Sequence, residues 1–333
     1  MTTTLATLTV DGTEVATYVD GAAVDDPTLS PRPFLHPVRT LDGLVVTDCM
    51  PDDHRWHLGL SVAIQDVGGV NLWGGRTYVR DQGYTWRDDH GVQRHLGWEQ
   101  RTPTGFDEQL AWLAPDGRQL LHEHRSVRAS EAVLAPSANM TASAEPTPHR
   151  EAGRGRVEGH RRGPRHGRHP PGARTTRDAW ELGFGFELSN VTGEPLALGS
   201  PATNGRVGAG YGGLFWRLSP AASSRVFTGD GVGEDAVHGA VTPWVAWVAD
   251  GVDGQGGAAT FTVVLAHDDP PHTGADDPWF VRTEMYPGMC SALAFERPTL
   301  LAPGGVLRRR VRALVADAVL TESDVASWFG SRS

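Results

Sequence analysis

Apolar residues fall at alternate positions along much of the chain, in runs separated by Gly, Pro and Asp, and that period of two is the signature of half-buried strands. Leu5-Ala6-Thr7-Leu8-Thr9-Val10 and Thr13-Glu14-Val15-Ala16-Thr17-Tyr18 flank Asp11-Gly12, the two-residue signal for a tight hairpin. Leu110–Leu113 and Gln119–Glu123 flank Pro115-Asp116-Gly117 in the same way. The clearest strand runs from Trp180 to Leu188, where large apolar residues alternate with small or polar ones. Trp244–Val248 and Thr260–His267 predict two more strands, and Leu307–Leu320 predicts a strand pair or one long bent strand. Only the C-terminus reads as helical: Thr321-Glu322-Ser323-Asp324 has capping-box spacing and precedes Val325, Trp328 and Phe329 at helical intervals.

The expected fold is therefore all-β, a large antiparallel β-sandwich with a short C-terminal helix. The two-sheet supersandwich of sugar mutarotases is the architecture closest in kind, by analogy alone. The 41 Gly, 23 Pro and 11 Trp agree with many short strands joined by tight turns. A chain of 333 residues can form one such domain, 1–333.

Residues 137–177 break the pattern. They hold nine Arg, four His and three Glu with no aromatic, Leu or Ile, so they carry too little apolar surface to order themselves. They read as a disordered loop, or as the product of a compensated frameshift in a GC-rich gene. The formal charge of the whole chain is −10, and without these residues the rest is more acidic still. That excludes the basic footprint of a nucleic-acid binder.

All the basic residues outside His are Arg, with no Lys, which removes Schiff-base chemistry and the Walker phosphate loop. Only Cys49 and Cys290 occur, the N-terminus MTTTLATLTVDG has no signal-peptide pattern, and no apolar run approaches membrane-spanning length. A cytoplasmic protein with no membrane partner is expected.

Candidate chemistry concentrates between Arg32 and Arg76, where three His, several Arg, Asn71 and two Trp stand beside Gly or Pro. That mixture is costly as core and well suited to a polar pocket with an aromatic wall. His54 and His57 are the expected proton-moving pair, because His exchanges protons near neutral pH. Pro51, Asp52 and Asp53 put them on a loop, where residues three apart can converge. Arg32, Arg76 and Arg206 would hold ligand oxygens, Asn71 and Asn204 would read hydroxyls, and Trp73 would stack on a sugar face. Trp279 is expected on a turn after Asp276-Asp277-Pro278, and Tyr211, Tyr286, His36 and His95 are further expected substrate contacts. Glu99 and Glu284, next to aromatic or Arg residues, are candidate carboxylate bases, with Glu284 preferred.

Two motifs carry less than their form promises. Gly208-Ala209-Gly210-Tyr211-Gly212-Gly213 fits a dinucleotide fingerprint, but the following Leu214-Phe215-Trp216-Arg217-Leu218 is strand-like where a helix is required. The run reads instead as a turn or a close backbone approach. A metal at the His pair would need a third ligand from His36, His95, His124 or Glu123, and no zinc-type spacing is present. No cofactor is expected, with a divalent ion at the His cluster as the alternative.

RPFLHPVRT, DHRWHLGL and NLWGGRTYV, with PATNGRVGAGYGGLFWR and DDPWFVRTEMYPG further on, resemble a bacterial family carrying the label PmoA or methane-oxygenase-like. The resemblance covers nearly the whole chain outside 137–177. It implies a soluble, mostly β protein of the kind that accompanies sugar oxidoreductases and isomerases in gene clusters. A true methane monooxygenase subunit would span a membrane, which this sequence does not support. The function expected is a carbohydrate-active enzyme, a hydrolase, lyase or epimerase acting on a sugar or oxidised sugar by His acid–base chemistry. The rival is a noncatalytic sugar-binding or scaffold protein.

Overall fold

Asp11 and Gly12 both take positive φ, 51° and 80°, the twist a two-residue hairpin requires, and they join Thr3–Val10 to Thr13–Asp20 as the sequence predicts. In the computed structural model the described residues are 3–21, 24, 26–132, 134, 179–252, 257–268 and 277–331. The segment predicted as a disordered loop, 137–177, lies outside them.

Two large antiparallel sheets follow from the alternating pattern. The first has ten strands and runs Thr3–Val10, Thr13–Asp20, Phe34–Val38, Leu60–Val67, Gly213–Arg217, Gly288–Ala292 and Trp279–Arg282 in spatial order. Val70–Leu72 and Leu196–Gly199 branch from Leu60–Val67, and Thr299–Leu301 pairs with Leu196–Gly199. The second has eight strands, in the order Ser224–Phe227, Trp244–Val252, Ala258–His267, Val306–Ala316, Ala179–Asn190, Gln119–Glu131, Gly105–Leu113 and Val92–Thr102. The late segment resolves to one long strand, Val306–Ala316, because both of its edges are paired.

The period of two sorts each strand between faces. Leu60, Val62 and Ile64 join Phe184, Phe186, Trp247 and Val263 in one buried cluster drawn from both sheets, which is the sandwich core. On the outer face of the eight-stranded sheet, Leu314, Ala316 and Val264 pack against Val325 and Trp328 of the C-terminal helix Glu322–Gly330. Thr321 caps that helix: its hydroxyl accepts from the Asp324 backbone N–H, and the Asp324 carboxylate accepts from the Thr321 N–H.

The outer face of the ten-stranded sheet carries a third cluster, composed of Ala63, Trp73, Ala209, Tyr211, Phe215, Phe280, Tyr286, Cys290 and Ala292. Loops 54–57, 71–76 and 206–211 cover this face, so aromatic side chains from the sheet meet polar side chains from the loops there.

Candidate functional site

Every second residue of three adjacent strands points to that outer face. Phe215 lies between the inward Leu214 and Trp216, and Phe280 with Arg282 alternates with the inward Trp279 and Val281. On this floor opens a depression of about 450 Å³ lined by His54, Trp56, His57, Trp73, Gly74, Arg76, Tyr84, Trp86, Arg206, Ala209, Tyr211, Phe280, Arg282, Met285 and Tyr286. That volume is in the range of small-molecule sites. Its floor is buried: His57 is 1 % exposed and Trp73 2 %, while Trp86 and Met285 stand exposed at the rim.

The two histidines meet as the sequence predicts. The 51–57 segment closes in two consecutive turns, with the His54 N–H on the Pro51 carbonyl and the His57 N–H on the His54 carbonyl. Their rings stack at 4.8 Å, and the Tyr286 ring lies 4.8 Å from His54 and 4.7 Å from His57. His54 donates from Nδ1 to the Asp53 carboxylate at 2.7 Å, which fixes the tautomer and leaves Nε2 for other chemistry. Burial pushes the Asp53 carboxyl up, but its bond to His54 and the Arg217 guanidinium outweigh burial and hold it below its ordinary value. Arg217 is itself buried, 3.5 Å from Asp48 and 3.8 Å from Asp53, with its guanidinium 5.3 Å over the Tyr286 ring.

His57 differs from its neighbour. Burial, followed by the charges of His54, Arg217 and Arg32, pushes its pKa well below that of a free imidazole. It is therefore neutral at neutral pH, and its Nδ1 is buried with no hydrogen-bond partner among the described residues. A buried polar atom left unpaired is costly.

The loops are held by residues the sequence reading assigned to the ligand. Arg32 is fully buried and donates to Ser61 Oγ and to the carbonyls of Ser30, Trp73 and Trp56, tying the His loop to the Trp73 loop. Burial lowers its pKa to about 9, so it stays charged at neutral pH. Asn71 accepts the Trp73 and Gly74 N–H groups on Oδ1 and donates to Thr77 Oγ1. Both therefore build the pocket wall and do not line it: buried backbone groups in tight loops need partners, and these side chains supply them. Gly74 and Gly75 take φ of 103° and 68°, and a Cβ on either would come within 2.6 Å of the Trp56 side chain. The Gly pair is what lets Trp56 fold over the loop.

Other expected contacts also lie elsewhere. His36 is bonded through Nδ1 to Thr47 Oγ1. His95 donates to Glu108, inside a buried network that joins Tyr18, Glu108, Arg125 and Glu123 between the sheets. Asn204 donates to Asp66, on the turn before the pocket. Trp279 is wholly buried in the sandwich core, its Nε1 on the Thr242 carbonyl and its ring stacked on His267, because it begins a strand and its parity sends it inward. Glu284 is exposed and absent from the lining, and Glu99 is bonded to Gln109 and His124. His54, His57, Trp73, Arg76, Arg206, Tyr211 and Tyr286 are the expected residues that do meet.

Tyr84, Phe280, Arg282 and Met285 were not anticipated. Trp279-Phe280-Val281-Arg282 read at period two would have placed Phe280 and Arg282 together on the face opposite Trp279. Tyr84 arrives from the small hairpin Thr77–Val79 and Gly83–Thr85, and its hydroxyl bonds Tyr211 at 3.0 Å and accepts from Arg206. Arg282 is fixed from behind by Glu234 at 3.2 Å and by the Gly208 and Val281 carbonyls. The glycine run behaves as a close approach: a Cβ at Gly210 would sit 2.3 Å from the Phe295 carbonyl oxygen and one at Gly213 2.1 Å from that of Ser291. A strand follows it, Gly213–Arg217, which removes the dinucleotide reading.

No group of three or more His, Cys, Asp or Glu among the described residues is placed to hold a metal ion. No helix among them is long and apolar enough to cross a membrane.

The profile of DUF6807, a family of unknown function, matches residues 6–150 and 171–329. The chain belongs to the DUF6807 family. Its match lapses over 151–170, inside the stretch whose composition departs from its flanks. No match is found among the curated proteins.

Proposed function

We propose that this DUF6807 chain is a carbohydrate-active enzyme, a hydrolase, lyase or epimerase, that works on a sugar or oxidised sugar by His acid–base chemistry. The observation that carries the reading is the buried, neutral His57 with an unpartnered Nδ1, stacked on a His54 whose tautomer Asp53 fixes, on the floor of an aromatic depression. A neutral imidazole has a lone pair that can accept a proton, and a second histidine at stacking distance can return it. Trp56 and Trp86 offer apolar faces for a pyranose ring, and the Tyr and Arg side chains supply donors for its hydroxyls. The resemblance to proteins that accompany sugar oxidoreductases and isomerases supports the same class of substrate.

The test replaces His57 with Gln, which keeps some hydrogen bonding and removes proton transfer. Sugars and oxidised sugars are screened by mass spectrometry with both proteins, and binding of each hit is measured by calorimetry. Turnover should drop by about 10²–10⁴ while affinity changes far less. Equal turnover removes His57 from the mechanism. Tight binding without product across the screen instead favours a noncatalytic sugar-binding protein.

A further inference from the structure

Three guanidiniums, from Arg76, Arg206 and Arg282, line the depression, and no Asp or Glu lines it among the described residues. In a chain whose formal charge is −10, a cavity with that charge pattern is selective. Arg282 is already engaged by Glu234. Arg76 and Arg206 are not: neither has a carboxylate partner among the described residues. Each is instead laid on an aromatic ring of the lining, Arg76 at 5.5 Å over Trp86 and Arg206 at 4.8 Å over Tyr84.

We infer that the ligand of this site carries a carboxylate, which Arg76 and Arg206 grip while the sugar ring lies on the tryptophans; the inference rests on the sugar reading above and narrows it to acidic sugars. A guanidinium stacked on an aromatic face can still present its edge, and although Arg206 spends one N–H on the Tyr84 hydroxyl, its remaining N–H groups and those of Arg76 match the oxygens of a carboxylate. The stacking also restricts the side chain before binding, so less conformational freedom is lost when the anion arrives. Tyr84 adds rigidity, because its hydroxyl accepts from Arg206 while bonding Tyr211.

Calorimetric titration of the full chain with matched probes decides the point. Glucuronate, galacturonate and gluconate are compared with glucose and galactose, with glucose 6-phosphate as a phosphate of similar size, and with citrate as a carboxylate that is not a sugar. The acids should bind about 10–100-fold tighter than their neutral parents, a preference that shrinks as salt rises. Arg76→Gln and Arg206→Gln should each weaken the acids more than their neutral parents and so remove most of that preference, whereas His57→Gln should keep it. Neutral parents binding as tightly as the acids overturns the carboxylate inference, even if they are turned over and the enzyme reading stands. Tighter binding of the phosphate replaces carboxylate with phosphate as the group gripped. Citrate bound through the same two Arg, with every sugar ignored, sustains the grip and removes the sugar reading. No binding by any probe overturns both.

Discussion

Replacing Asn71 by Ala separates a loop-building role from a ligand-reading one. Its Oδ1 accepts from the Trp73 N–H at 3.0 Å and the Gly74 N–H at 2.8 Å, and its Nδ2 donates to Thr77 Oγ1 at 3.0 Å, all with the residue 1 % exposed. Alanine orphans two buried backbone donors, each costing about 1–3 kcal/mol, and drops the bond to Thr77. Thr77 keeps a partner, since its hydroxyl also donates to Asp89 at 3.1 Å. The expected loss is about 3–4 kcal/mol, or roughly 4–6 °C in melting temperature for a chain of this size. Chemical denaturation read by far-ultraviolet circular dichroism gives the free energy, and Thr77→Ala is the control, expected to cost about 1 kcal/mol. Ligand affinity should fall as well, because the loop carries Trp73 and Arg76 into the depression. A loss of stability below about 1 kcal/mol combined with abolished binding would refute this account and make Asn71 a direct contact.

Two further outcomes follow from the same geometry. His57, His36 and His238 all have native pKa values lowered, first by burial, so the unfolded chain binds more protons as pH falls below about 6.5. Their contribution is complete above that pH and is lost on acidification toward the native values, so stability should decline between pH 7 and 5, with a shallower slope in His57→Gln; a flat profile in the wild type would contradict the buried, neutral state of His57. Gly75→Ala should destabilise by about 1–3 kcal/mol and expose Trp56, because the residue is held at φ 68° and the added methyl meets the indole ring. An unchanged melting temperature and an unshifted tryptophan emission would show that the loop relaxes freely.

The sequence by itself determined the opening hairpin, six strands of the eight-stranded sheet, the terminal helix and the meeting of His54 with His57 on one loop. A period of two, Asp-Gly turns and a capping box are local signals, read from residues a few positions apart, and the 11–12 hairpin, the strand through Trp180 and the terminal helix all form where those signals stand. His54 and His57 were legible for the same reason, since one short loop carries both. What only the tertiary structure decided is which polar residues face the ligand and which face the protein. Arg32, Asn71 and His36 sit beside Gly or Pro as Arg76 does, yet the first two are consumed by carbonyls and N–H groups of neighbouring loops, and the third by Thr47. Trp279 differs from Phe280 by one position and lies on the opposite side of a sheet. Hydrogen-bond partners from distant segments and the parity of a strand against its neighbours are long-range facts. They exist only once the two sheets have packed and the loops have closed over their outer face.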